Sequence, residues 1–238
     1  LYVEGNYELL NSNSIAIVGT RKCTEYGKKY SAKFAKELSR KGMCIVSGLA
    51  IGIDTVAHIN SMEDLGKTIA VIGSGFKHIY PEENEWLFHK IIENGGCVIS
   101  EYHPDEEKDM ANFPARNRII SGLALGVLVV EAPYRGGSTI TAKHARIQGK
   151  EVFCIPNRLG EPEGYSTNWL IQNGANLVME PDDILQYYKI QENISVPEEY
   201  EEIYNLVNIQ PISANEICKI TGKKISEIMQ ILFMLELD

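Results

Sequence analysis

Two arginines separated by one residue, Arg116 and Arg118 in the stretch ANFPARNRIISGL (111–123), stand directly before an apolar run in a chain whose formal net charge is −9. Pro114 suits the first turn of a helix, because its missing N–H is one that a helix leaves unpaired there, so the spacing predicts a helix through about Leu123. Arg116, Asn117 and Arg118 then fall in the first two turns, where free N–H groups and the positive end of the dipole favour an anion. Guanidinium groups are unfavourable at that end unless something negative meets them. A bound anionic ligand is one answer, and the carboxylates of Glu101 or Glu131 are the other.

Three more stretches carry small or cationic residues at the end of an apolar run. In VGTRKCTEYGKKY, Gly19 permits a tight turn, the N–H groups from Thr20 onward can face an anion, and Arg21 adds a charged fork. In SGLAIGIDTVAH, Ser47 and Gly48 allow close backbone approach, and Asp54 is placed to cap the helix that carries His58 four residues on. That Asp/His spacing also suits a metal or acid–base pair, but no third ligand is in reach by sequence, so a cap beside a packed His is preferred. In EAPYRGGSTITAKHA, Gly136 and Gly137 make a flexible loop, Ser138 is an N-cap candidate, and Lys143 and Arg146 follow on the helix. None of these turns holds GxGxxG, and GSGFKH (73–78) has only the first two glycines, so no dinucleotide fingerprint is present. Four such loops at one sheet edge would make a groove able to follow several phosphates of a nucleic acid strand.

The elements that must position these loops alternate. Short apolar runs (SIAIVG 14–19, MCIVSG 43–48, TIAVIG 68–73, CVISEY 97–102, GVLVVEA 126–132, EVFCIP 151–156) are separated by stretches with helical spacing such as YGKKYSAKFAKELSRKG. Strands that are apolar throughout, interleaved with amphipathic helices, call for a mostly parallel sheet covered on both faces. The fold class is therefore α/β: an extended Rossmann-like, doubly wound sheet. Ligands of such sheets bind beyond the carboxyl ends of the strands, which is where the four loops lie.

The chain has 238 residues, 44% of them hydrophobic, enough for one large domain and a small one. No stretch approaches the roughly 20 apolar residues of a membrane span, and LYVEGNYELL lacks the basic start and apolar core of a signal peptide. A globular cytoplasmic protein is expected. The first residue, Leu1, and the abrupt end FMLELD read as the ends of a fragment. Five cysteines (Cys23, Cys44, Cys97, Cys154, Cys218) include no CxxC pair, and three lie inside apolar runs, where a reduced thiol packs as a small hydrophobe. No metal is expected.

Charge is unevenly placed. From Glu180 to Glu202 eight acidic residues face one Lys189, a net of −7 that leaves only −2 of the total −9 for the rest of the chain. A near-neutral body can hold a basic cleft. The acidic segment reads as a linker over 181–198, dividing a domain over 1–180 from a tail over 199–238. In the tail, ISANEICKITGKKISEIMQILFMLE has a helix-turn-helix rhythm, with Ser213 as N-cap, Thr221–Gly222 in the turn, and Ile225, Ile228, Met229 and Leu232 at core spacing. Its second helix offers only Lys223 and Lys224, which favours a protein-contact or regulatory module over one that reads a duplex.

The series IAIVGTR, IVSGLAIGID, IAVIGSG, FPARNRIISGL, VVEA, GGSTITA and VFCIP, in this order over roughly residues 1–180, resembles the DprA (Smf) family of DNA-processing proteins. The tail resembles the small winged-helix domain found in many members, without the hairpin wing expected after its last helix. Two local departures are Gly136-Gly137-Ser138, where many members read Ser-Gly-Ser, and Pro156-Asn157 in place of Pro-Gly. The resemblance implies single-stranded DNA binding without a nucleotide cofactor or catalysis, homodimers, and help in loading RecA during natural transformation. Carried over by motif, the DNA pocket comprises Gly19, Thr20, Arg21, Ser47, Gly48, Arg116, Asn117, Arg118, Gly137, Ser138 and Lys143.

A rival of another class is a Rossmann-like nucleotide hydrolase of the lysine-decarboxylase-like type, with Glu131 and Glu101 catalytic. Its PGGxGTxxE block is absent, and EAPYRGGSTITA places the Glu before the glycines instead of after them.

Overall fold

Strand runs that are apolar at every position can be buried only if each alternate side chain finds its own core. Along Ser14–Val18, Ile15 and Ile17 point into one apolar cluster with Phe34, Leu38, Ile53 and Ile184, while Ala16 and Val18 point into another with Ile119, Ile120, Ala142 and Ala145. The computed structural model, which describes residues 1–190, 200, 202–203, 206–207 and 212–237, builds this double burial into one eight-stranded sheet among the described residues.

Its strands are β1 (Tyr2–Gly5), β2 (Ser14–Val18), β3 (Cys44–Ser47), β4 (Thr68–Ile72), β5 (Cys97–Ser100), β6 (Gly126–Val129), β7 (Glu151–Cys154) and β8 (Asn176–Leu177), in the order β1-β5-β4-β3-β2-β6-β7-β8. All neighbours are parallel except β1, which runs antiparallel to β5 at one edge. The α/β, doubly wound expectation holds. The chain leaves β2 toward β3 on one side and reaches β6 on the other, so the strand order reverses between β2 and β6. That switch point opens a crevice at the carboxyl ends.

Among the described residues seven α-helices accompany the sheet: α1 (Glu25–Arg40), α2 (Ile53–Ile59), α3 (Glu85–Glu93), α4 (Asn112–Leu123), α5 (Ser138–Ile147), α6 (Tyr165–Gln172) and α7 (Pro181–Tyr187). In α1 the buried Gly27, Ser31, Phe34, Ala35 and Leu38 recur at helical spacing and form its sheet-facing stripe. Thr24 caps α1 by accepting from the Gly27 N–H at 3.2 Å. The buried Glu131 just beyond β6 reaches across to the same end, accepting from Thr24 N at 2.9 Å and Thr24 Oγ1 at 2.6 Å. Cys44, Cys97 and Cys154 lie in the core as free thiols, where burial pushes them up to about 12, 11 and 12.

The domain division differs from the linker expectation at its first residues. Positions 181–187 form α7, whose Ile184 and Leu185 are buried in the core beneath α1, and the first compact unit runs Leu1–Glu192. Acidic residues at a helix start are stabilised by its dipole: Glu180 and Asp183 form a capping box there. Of the remaining expected linker, Tyr188 and Ile190 pack against the same core, and 191–198 lie outside the described residues.

The second unit spans Asn193–Asp238. It contains helices Ala214–Thr221 and Ile225–Leu237 around Ile203, Ile217, Ile228 and Ile231. Ser213 is the N-cap in a capping box with Glu216, and Gly222 ends the helix in the left-handed conformation. Two core assignments change: Ile225 and Met229 are exposed, while Ile231 is buried beside Ile228.

Candidate nucleic-acid interface

The loop after β2 is fixed before any ligand arrives. Thr20 N donates to Glu131 O at 2.8 Å, and Thr20 O accepts from Ile53 N at 3.3 Å, so the turn is stitched to β6 on one side and to the start of α2 on the other. Gly19 is required by this closeness, since a Cβ there would strike Ile53 Cγ1 and Cβ and lie 3.0 Å from Glu131 O. Arg21 and Lys22 leave the turn exposed to solvent.

The loop after β3 is held by two charges. Gly48 N donates to Asp54 Oδ2 at 3.1 Å, and Gly48 O accepts from Arg116 Nη1 at 2.7 Å. A Cβ on Gly48 would lie 2.7 Å from Asp54 Oδ2 and 2.8 Å from Arg116 Nη2, so a carboxylate and a guanidinium face each other across one peptide. Asp54 is not the cap the sequence suggests. Gly52 holds the N-cap position of α2, and Asp54, one residue inside the helix, turns back to Gly48 and to Ala50 N at 3.4 Å. His58 is buried on the same helix with its Nδ1 2.7 Å from Thr68 Oγ1. Burial raises the Asp54 carboxyl to about 6 against the opposing pull of Arg116, and burial aided by the Arg116 charge lowers His58 to about 3.

Helix α4 separates its two arginines. Arg116 is buried, donating to Gly48 O and Val71 O and, through Nε, to Asn117 Oδ1 at 3.3 Å. Burial lowers it to about 10, partly offset by Asp54. Arg118, two residues on, points elsewhere and pairs with Glu101 at the surface. Arg118 thus meets one of the two carboxylates named from sequence, while Arg116 has Asp54 as its neighbouring negative charge. Glu131 serves neither.

At the loop after β6, Gly137 takes the N-cap position of α5 and Ser138 is its first residue, so Ser138 is not the side-chain cap. Its hydroxyl is buried with no hydrogen-bond partner.

These parts enclose a cleft of about 500 Å³ at the β2/β6 switch point. Of the eleven residues named from sequence, Gly19, Thr20, Arg21, Arg116, Asn117, Gly137 and Ser138 line it, and Gly48 lines a small recess beside it with Arg21, Tyr80 and Phe113. The other three lie off its wall. Ser47 is a buried strand residue whose hydroxyl donates to Ile17 O at 2.6 Å, Arg118 is engaged by Glu101, and Lys143 is exposed on α5. Lys22, Asp54, Met110 and Phe113 also line the cleft. Lys22 was visible in sequence as the cation beside Arg21; Phe113 was concealed by its position in an apolar stretch. No cluster of metal-ligating side chains occurs among the described residues, and none of their helices is long and apolar enough to cross a membrane.

Fold and cleft together define a doubly wound, mostly parallel-sheet protein with a crevice at the switch point. The chain belongs to the family of DNA recombination-mediator protein A, whose sequence model matches residues 1–189. Protein Smf of Escherichia coli K12 is 37% identical over 100% of this chain and 67% of its own length. The X-ray structure of DNA processing protein A from Streptococcus pneumoniae is similar at 43% identity and a TM-score of 0.72, covering 77% of this chain and 64% of that one. DNA processing protein A from Helicobacter pylori, in a structure concerned with that protein's single-stranded DNA binding mode, matches at 32% identity and a TM-score of 0.71 over 79% and 85% of the two chains. The chain spans about two thirds of the length of the curated relatives from E. coli, S. pneumoniae and Bacillus subtilis.

Proposed function

We propose that the cleft binds single-stranded DNA through its phosphates, as a DNA-processing protein of recombination and natural transformation, without a cofactor or a catalytic step. One observation carries this reading: the loop at 19–22, residues 116–117 of α4 and the start of α5 at 136–138 bring cations, N–H groups and a buried hydroxyl without a protein partner to one cleft. Anions gather where such donors converge at helix starts. The H. pylori relative's single-stranded binding mode supports the ligand class. In the cytoplasm, the reading adds a second copy of the chain and RecA as partners.

The nucleotide-hydrolase alternative loses its catalytic residues. Glu131 is occupied in holding the start of α1, and neither Glu131 nor Glu101 lines the cleft. Photo-crosslinking of a single-stranded oligonucleotide tests the proposal. Adducts are expected on peptides containing 19–22 and 136–138, and adducts confined to other peptides would contradict it. Incubation with nucleoside monophosphates should release no base.

A further inference from the structure

Resting on the reading of the cleft as a phosphate site, we infer that Asp54 is a working part of it: an internal anion that shares Arg116 with the ligand and takes up a proton when a phosphodiester binds. Asp54 lines the cleft and lies across the Gly48 peptide from the Arg116 guanidinium, which lines the same cleft. A phosphate drawn to Arg116 therefore brings a second negative charge toward a carboxylate already in place. Like charges at one site cannot both stay ionised cheaply, and the group that can accept a proton does so. The phosphodiester is too acidic to accept one near neutral pH, so the carboxyl yields. Burial has already raised Asp54 to about 6, so little more is needed. The proton comes from solvent, no bond other than O–H forms, and Asp54 keeps an oxygen to accept from the Gly48 N–H.

The groups facing Asp54 leave it the one that changes charge in this range. From α4 comes Arg116, lowered by burial to about 10, and from its own helix comes His58, lowered to about 3. Arg21 approaches Arg116 from the β2 loop, while burial raises Tyr102, beyond β5, away from neutrality. From β3 and its loop only Ser47 and the N–H groups of Gly48 and Ala50 meet the carboxyl.

The experiment is a titration of the whole chain with labelled oligothymidylate between pH 8 and pH 5.5 at fixed salt, beside Asp54→Asn. The wild-type chain should gain affinity as pH falls, about tenfold for each unit by which the ligand raises the Asp54 pKa. Asp54→Asn should bind at pH 8 about as tightly as the wild type does at pH 5.5, with a clearly shallower pH dependence. Equal slopes for the two chains, or weaker binding by Asp54→Asn at pH 8, would overturn the inference. Should the variant fail to fold, infrared difference spectra of the wild-type chain at pH 6.5 decide instead. A protonated-carboxyl band must grow on adding oligothymidylate, and its absence overturns the inference. Absence of binding at every pH would count against the phosphate cleft itself, a separate failure.

Discussion

Arg116, Arg21 and Arg118 have different tasks, and substitutions should separate them. Arg116→Ala removes the bonds to Gly48 O and Val71 O and the counter-charge of Asp54, whose carboxyl then protonates, so it should cost about 1–3 kcal/mol of stability, read as a fall in melting temperature that is larger at pH 8 than at pH 5.5. Arg21→Ala removes an exposed fork that holds nothing inside the protein. It should weaken single-strand binding by about 1.5–3 kcal/mol with little change in melting. Arg118→Ala breaks a surface pair with Glu101 and should change stability by about 1 kcal/mol or less, with a smaller loss of binding than Arg21→Ala. The pH dependence of stability has a second signature at this scale. Asp54 is raised from 3.8 to about 6, so it favours the folded state progressively as pH falls from 6 toward 4. His58 is lowered from 6.5 to about 3, so over the same range it favours the unfolded state, which binds the proton the folded chain refuses. Each unit between folded and unfolded values is worth about 1.4 kcal/mol, and the two slopes oppose. Urea unfolding of His58→Leu should therefore gain stability relative to wild type as pH falls from 6 to 4. Parallel curves would refute the assignment.

At the scale of elements, the cleft depends on loops held at both ends by other elements. Gly48 is one such place: Gly48→Ala must push apart Asp54 and Arg116, so it should lower both stability and binding. Ser138→Ala removes a buried hydroxyl that no protein group satisfies, so melting should be unchanged or slightly higher. Binding should weaken by about 1 kcal/mol if a phosphate is the missing partner. Unchanged binding would remove Ser138 from the site. The six inner strands were legible because each is apolar throughout, a pattern only a doubly covered sheet explains. The edge strands β1 and β8 were not, because Tyr2–Gly5 is exposed along its length and Asn176–Leu177 has two residues. Loop composition located the cleft, yet it could not orient side chains around a helix. Arg116 and Arg118 are two residues apart, about 200° around α4 at 3.6 residues per turn, which is why one enters the core and the other meets Glu101. Asp54 read as a cap because capping is a local habit of Asp, and its bond to Gly48 is made across the turn from β3.

For the whole molecule, the acidity that seems to oppose a polyanion lies largely in one segment near the division between the two units, which falls at Glu192 and Asn193. The first unit carries its own core and the entire lining of the cleft. A chain truncated after Glu192 should therefore keep single-strand affinity within about tenfold, ~1.4 kcal/mol, of the full chain. A larger loss would place part of the binding surface in the second unit. A cleft that follows a single strand by its phosphates has a direct signature in solution. Labelled single-stranded and double-stranded oligonucleotides are titrated into the full chain at two salt concentrations. The account predicts tighter binding of the single strand and an affinity that falls steeply with salt, by a slope of about −0.7 for each phosphate neutralised. Affinity that is flat with salt, or tighter for the duplex, would contradict it.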